Sequence, residues 1–281
     1  MRRDFIEGKV MLDYSVLMAV FRKDNPGFLE LSLNSMCNQT VVPREIVIVK
    51  DGPITDELQH VIDRTANVIG IRIVQVQLPI NVGLGKALNE GLKYCSCDYV
   101  ARMDADDYSL SNRCELQLRE FELNPELDIV GCPVYEFVDS TENIVGCRDV
   151  PYTNEDIYKF AKYRDPFNHP SVIFKRDTVL AVGGYADYRK NQDTELWIRL
   201  LLHNARCKNI KEHCLKFRFD SKTFNKRKTW MNTKSLIGIR YNSWRKGFNT
   251  FAEFLIVSAG QLFLWMAPVA LQKIVYKVVL R

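Results

Sequence analysis

The chain has 281 residues, of which 47% are hydrophobic and 26% charged, and its formal net charge is +5. That is enough for one large domain with its own core plus an appendage, with the balance of an ordinary globular protein and no internal repeat or low-complexity linker. The modest positive charge suits an anionic membrane surface or a phosphate-bearing substrate and establishes neither.

The start, MRRDFIEGKV, is polar and unlike a secretory signal, so residues 1–13 read as a leader. YSVLMAVF (14–21) is a short apolar run of strand formers stopped by RKDNPG. Residues 27–40 carry Phe28, Leu31, Leu33 and Met36 near helical spacing. REIVIVKDGP (44–53) is a second buried strand ended by Asp-Gly-Pro. Residues 54–68 form a helix with Thr55 as N-cap. Residues 71–79 alternate as a strand, 83–95 form a third helix, and DYVARMD (98–104) is a fourth strand. The β-α-β-α-β-α-β order with short links predicts a parallel, doubly wound α/β sheet.

Beyond residue 108 the pattern changes. Residues 111–125 read as a helix capped by Ser111. DIVGCPVYEFVD and NIVGCRDVP read as a strand pair turning near Ser140-Thr141-Glu142-Asn143. A helix over 154–164, a strand and short helix over 169–185, and an apolar-faced helix over 193–204 follow, with the core running to about residue 220. Of eight cysteines none forms C-x-x-C, and Cys95-Ser96-Cys97 is too close for a usual zinc pair. They read as reduced, partly buried thiols of a cytosolic protein.

In such sheets ligands bind at the carboxyl ends of the strands. The stops after the first, second and fourth strands put Arg22, Asp51 and the cluster Asp104, Asp106, Asp107 on that edge. Asp104 and Asp106 are two residues apart, and an extended backbone points them to one side. Hard cations such as Mg2+ and Mn2+ take one or two carboxylates plus substrate phosphates. The competing reading is an acidic turn after a strand. An EF-hand is excluded because the sixth position from Asp104 is Ser109 and not glycine. No G-x-G-x-x-G follows the first strand, and no P-loop is present.

Several separate stretches then occur in a recognisable order: YSVLMAVFRKDNPGFLELSLNSMCNQTVVPREIVIVKDG, NVGLGKALNEGL, ARMDADD, HPSVIFKRDTVLAVGGY and NQDTELWIRL, together spanning about residues 14–205. In these the chain resembles the family 2 glycosyltransferases, inverting enzymes of the GT-A fold, a Rossmann-like nucleotide-sugar-binding domain. It is most similar to the branch that builds bacterial capsule, exopolysaccharide and O-antigen repeat units. The resemblance implies a UDP-sugar donor, a Mn2+ or Mg2+ cofactor and a sugar acceptor on polyprenyl diphosphate. It implies a base and ribose wall of Ala19, Val20 and Arg22, and a uracil contact at Asp51. Gly83 and Lys86 would lie near the nucleotide, Arg102 at its base or phosphates, and Asp104 at the ribose or metal. Asp106 would be the main metal ligand and Asp193 the catalytic base. Where related chains often carry Glu-Asp, this one has Gln192-Asp193, which removes one neighbouring charge and should leave Asp193 less prone to a raised pKa. Each residue has a plainer reading: Asp193 as a first-turn acid at a helix N-terminus, Lys86 as an exposed helix face, His169 as a structural histidine. As acceptor contacts, His169, Glu195 and Trp197 are weaker candidates, and a helix tryptophan beside Leu196 is more often core.

The tail (221–281) is basic and aromatic first: Lys222, Lys226, Arg227, Lys228, Lys234, Arg240, Arg245 and Lys246, with Phe224, Trp230, Tyr241 and Trp244 interleaved. Single-stranded nucleic acid is one reading of that mixture. FLIVSAGQLFLWMAPVAL (254–271), 18 uncharged residues, argues against it. This stretch is barely long enough to span a bilayer, and Gly260, Gln261 and Pro268 interrupt it. Lys273, Lys277 and Arg281 then line one face opposite Ile274, Val275, Val278 and Val279. The expectation is a monotopic amphipathic region on the cytoplasmic face of the inner membrane. The alternative is packing on the domain or on a second copy, giving a homo-oligomer. Two further alternatives stand: a nucleotidyltransferase, which wants a Gly-rich loop where VFRKDNPG lies, and a catalytically silent membrane-bound scaffold. Galactose from UDP-galactose is the expected donor, with UDP-glucose second.

Overall fold

A computed structural model describes residues 12–68, 70–219, 229–268 and 271–272. The first half is the expected alternation: β1 (Tyr14–Val20), α1 (Pro26–Cys37), β2 (Glu45–Lys50), α2 (Asp56–Val68), β3 (Arg72–Gln77), α3 (Leu84–Leu92) and β4 (Tyr99–Arg102). Strand β1 is buried at all but one position because helices cover both faces of the sheet. Successive side chains alternate between two cores. Val16 and Met18 join Leu29, Leu33 and Leu58 on one side, and Leu17 joins Leu88, Leu92 and Leu196 on the other. Helix α1 starts where Asn25 Oδ1 accepts from the Gly27 and Phe28 amides at 2.9 and 3.2 Å, with Pro26 at its first position. Helix α3 lies flat on the sheet at Gly91, where a Cβ would come within 2.4 Å of a Leu17 methyl.

The second half completes a seven-stranded sheet and adds a small one. It contains β5 (Tyr108–Ser109), α4 (Arg113–Leu123), β6 (Ile129–Gly131), β7 (Val134–Phe137), β8 (Ile144–Arg148), α5 (Asn154–Ala161), β9 (Ile173–Lys175), α6 (Arg176–Ala181), α7 (Gln192–Leu202), β10 (Cys207–Asn209) and β11 (Leu215–Arg218). The main sheet runs β10-β6-β9-β4-β1-β2-β3 and the small sheet β5-β11-β7-β8. Three expectations are corrected. The main sheet is mixed, because β9 pairs antiparallel with both β4 and β6. That strand begins beside the carboxyl end of β4, where the Arg102 amide donates to Val172 O at 2.9 Å. The segment 128–139 is two strands in two sheets, since Pro133 has no N–H with which to continue a ladder. Helix α4 is preceded by Asn112 without a side-chain cap. Ser111 instead gives its carbonyl to the Thr40 amide at 2.8 Å. All eight cysteines are free thiols.

Two further helices close the described chain, α8 (Trp230–Arg245) and α9 (Phe251–Met266). They form an antiparallel hairpin: Trp230 meets Trp265 at 5.0 Å, and Trp244 stacks on Phe254 at 5.9 Å. Thr250 and Glu253 form a capping box at the start of α9. The hairpin is tied to the end of α5 by Lys162–Glu253 at 3.1 Å, by Asn249 Nδ2 to Lys162 O at 2.8 Å, and by Arg240 Nη1 to Ala161 O at 2.5 Å. Phe251, Leu255, Ile256, Phe263 and Met266 are exposed on α9. Among the described residues, no helix is long and apolar enough to cross a membrane. Helix α9 ends at Met266, as expected for chain entering Ala267-Pro268. The leader residues 1–11, the basic and aromatic residues Lys222, Phe224, Lys226, Arg227 and Lys228, and the stripe of Lys273, Ile274, Val275, Lys277, Val278, Val279 and Arg281 lie outside the described residues.

Candidate active site

The site forms along the carboxyl edge of β1, β2 and β4. Ala19 is half-buried and Val20 buried at the end of β1, with Arg22 exposed just beyond. The Asp51 amide donates to Val20 O at 2.8 Å, so the ends of β1 and β2 are fastened together. The Asp51 carboxylate accepts from the Val82 amide at 2.7 Å, the Gly83 amide at 3.1 Å and Asn81 Nδ2 at 2.9 Å. Its expected contact was a base N–H, but both oxygens are already engaged in shaping the loop before α3. Gly83 has φ +95°, a left-handed backbone that disfavours any side chain, and a Cβ there would press on Arg189 at 3.2 Å. Lys86, in α3, pairs with Asp187 of the segment between α6 and α7 at 2.7 Å.

The acidic cluster is built differently from the extended pair expected. Strand β4 stops at Arg102, and Ala105–Asp106 is a turn. This turn gathers the carboxylates of Asp104, Asp106 and Asp107, with ligand atoms all within 4.8 Å of one another. The Asp104 carbonyl accepts from Ser32 Oγ at 2.7 Å. Asp107 is fully buried; its Oδ1 accepts the Arg218 amide at 2.8 Å, and its Oδ2 has no hydrogen-bond partner. Arg218 also donates from Nε to Asp106 O at 2.9 Å, with its guanidinium over the Phe28 ring at 3.6 Å. Burial and then the Asp104 carboxylate push Asp106 up to about 6, although its edge meets solvent. Burial and both neighbouring acids push Asp107 well above the ordinary carboxylate range. Three crowded carboxylates, one with an orphaned buried oxygen, fit a hard divalent cation with oxygen ligands.

Arg102 does not reach the open cleft. Its side chain is 1% exposed, and Nη1 pairs with Asp104 Oδ1 at 2.5 Å. From beneath the site it bears on the acids and on His169, whose ring is held neutral, well below its ordinary pKa, by burial and then by this guanidinium.

A cleft of about 490 Å3 runs from Asp104 past His169, Asp165 and Asp193 to the α8–α9 hairpin. Asp193 sits in the first turn of α7. The loss of a sequence neighbour's charge at Gln192 does not keep its pKa low. Burial, and then the Asp165 carboxylate, push it up to about 6 against the opposing Thr194 amide. Asp165 was not singled out from the sequence; it lies 28 positions from Asp193 and no motif marks it. His169 Nε2 lies 3.0 Å from Tyr185 Oη. Two weaker expectations are corrected. Trp197 is 1% exposed and packs edge-on against Phe167 and His169, so no sugar can stack on it. Glu195 is held by Arg199 at 2.5 Å one turn along α7 and does not line the cleft.

Residues 15–182 match the model of Glycosyl transferase family 2. The chain belongs to this family. It is therefore a glycosyltransferase, with the GT-A type α/β sheet described above. It is similar to the UDP-Gal:alpha-D-GlcNAc-diphosphoundecaprenol beta-1,3-galactosyltransferase of Escherichia coli, with 35% identity over 268 residues, covering 95% of this chain and 96% of the relative. It is also similar to the amylovoran biosynthesis glycosyltransferase AmsE of Erwinia amylovora, with 38% identity over 222 residues, covering 79% and 82%. Among solved structures it superposes on the mannosyltransferase PcManGT of Pyrobaculum calidifontis in complex with GDP-Man and Mn2+. The TM-score is 0.64 at 16% identity, covering 90% of this chain and 70% of that one.

Proposed function

We propose that this glycosyltransferase moves a hexose, galactose from UDP-galactose, onto a GlcNAc or GalNAc carried on polyprenyl diphosphate, with inversion, during bacterial surface polysaccharide synthesis. The observation that carries the proposal is the placement of Asp104, at the start of the acidic loop, and Asp193 along a single cleft. The name and near-complete coverage of the E. coli relative support the donor and acceptor. UDP-glucose is the second donor to test.

The edge formed by Ala19, Val20, Arg22 and the Asp51-braced loop at Gly83 receives the nucleotide, with Lys86 near its rim. Asp106 and Asp104, with the orphaned Asp107 oxygen behind them, would hold Mn2+ or Mg2+. When bound, that ion stabilises the charge of the departing diphosphate. Asp193 accepts the acceptor hydroxyl's proton. Its pKa of about 6 leaves it ionised at neutral pH yet more basic than an ordinary carboxylate, as a general base requires. Attack from the Asp193 side, opposite the leaving group, inverts the anomeric centre. His169, neutral and held at Tyr185, lies where the acceptor sugar passes.

The exposed apolar face of α9 supports a monotopic seat on the cytoplasmic surface of the inner membrane. Self-association through the same face is the second reading; it predicts a dimer in detergent-free solution that dissociates on adding vesicles. Nucleic acid is not a partner in this reading.

The test incubates purified protein, Mn2+ and GlcNAc-diphosphate-lipid with a panel of UDP-sugars, followed by mass spectrometry, with Asp106→Ala and Asp193→Ala alongside. The expected result is one hexose added from UDP-galactose and lost in both variants. Absence of UDP binding would overturn the reading.

A further inference from the structure

The cleft does not stop at the catalytic acid. It is also lined by Arg148, Arg164 and Arg240, and by Leu236, Leu264 and Trp265 of the α8–α9 hairpin. Arg164 follows Phe160 by one helical turn, its guanidinium lies over that ring at 5.0 Å, and it lines the same cleft as Asp165 and Asp193. Arg240 is 3% exposed, and its Nε has no hydrogen-bond partner. Burying an arginine is costly, and the Asp165 carboxylate offsets part of that cost while Nε stays unused, so room remains for a further anionic group. Asp104 is already matched by Arg102, while Arg148 is held at the cleft wall by Glu136 at 2.8 Å. Trp265 is 37% exposed on the helix whose outer face carries the apolar residues.

We infer that this half of the cleft is the acceptor's diphosphate–lipid subsite: Arg164, Arg148 and Arg240 take the diphosphate, and Leu236, Leu264 and Trp265 take the first segment of its hydrocarbon chain. The inference rests on the function proposed above and assigns residues to the acceptor's non-reacting part. Arginine suits the role because its planar fork binds phosphate oxygens in pairs. Helices α8 and α9 thereby become part of the active site as well as a platform.

The experiment compares three acceptors with one UDP-sugar and Mn2+: a GlcNAc-diphosphate on a long alkyl chain, the same compound as a monophosphate, and a phosphate-free GlcNAc glycoside. For the native protein, kcat/KM should fall at least about tenfold with each phosphate removed. In Arg164→Ala the gap between diphosphate and phosphate-free acceptors should narrow by about tenfold, and Arg164→Lys should restore part of it. Trp265→Ala should raise KM for the long-chain acceptor and not for a short-chain diphosphate. UDP affinity, measured by calorimetry, reports folding and the donor half separately. Equal use of all three acceptors by the native protein would overturn the inference while leaving the glycosyl transfer intact. So would an Arg164→Ala loss that is the same for every acceptor at unchanged UDP affinity. No transfer to any acceptor, with UDP still bound, would overturn the functional proposal and the inference with it.

Discussion

Asp193→Asn should abolish transfer and at the same time make the protein more stable. The fold raises this carboxylate from its ordinary 3.8 to about 6, chiefly by burial and then by Asp165. A raised folded-state pKa means the fold favours the neutral form. The stability cost is therefore absent below the ordinary value, grows as pH rises through the window between 3.8 and 6, and is complete above it. Removing the charge should return about 3 kcal/mol at pH 7.5 and about half of that at pH 5. For a chain of this size the gain at pH 7.5 corresponds to a rise in Tm of about 5 °C or more. The assay is thermal unfolding of both proteins at pH 5 and 7.5, beside the transfer reaction. An equal gain at both pH values would show that the amide packs better for some unrelated reason. A loss of stability at pH 7.5 would refute the claim that Asp193 is held at a cost.

Other outcomes follow from the same geometry. Asp165→Asn removes one of the two causes that raise Asp193, so the acid limb of kcat should move to lower pH when measured at saturating Mn2+; a limb that stays put would remove Asp165 from the site's electrostatics. Asp106→Asn should weaken Mn2+ binding by at least about tenfold, and chelation of the native protein should stop transfer until metal is restored, both readable by calorimetry and turnover. Gly83→Ala forces a side chain into a left-handed backbone against Arg189, costing about 1–3 kcal/mol. It should weaken UDP binding, as should Asp51→Asn, which releases the same loop. Leu255→Glu with Ile256→Glu should abolish co-flotation with anionic vesicles and leave UDP affinity unchanged.

Much of this architecture is legible without coordinates because β1, β2 and β4 are short apolar runs whose stops fall on one edge, and β3 alternates. The short strands are not legible: β5 has two residues and β10 three, too few for any periodicity to register. The acids Asp104, Asp106 and Asp193 stand in motif positions that single them out, whereas Asp165 reaches the site through a loop with no pattern of its own. The sequence misplaces Arg102, and Trp197 packs in the core as the plainer reading has it, for a common reason. Both stand in motif positions beside site residues, and adjacency along the chain does not tell whether a side chain faces the cleft or the core. The Gln192 inference failed similarly, since the charge that perturbs Asp193 comes from across the fold.

The ties from Lys162 and Ala161 to Glu253, Asn249 and Arg240 fasten the C-terminal hairpin to the end of α5, beside the catalytic cleft. If α9 rests in the lipid surface, the height of Asp193 above the bilayer is then a constant of the molecule. With the proposed acceptor, such an enzyme would work like a depth gauge: it would reach a hydroxyl one sugar above the diphosphate, and each sugar added would lift the growing end out of range. That height would then set at which step of assembly it acts.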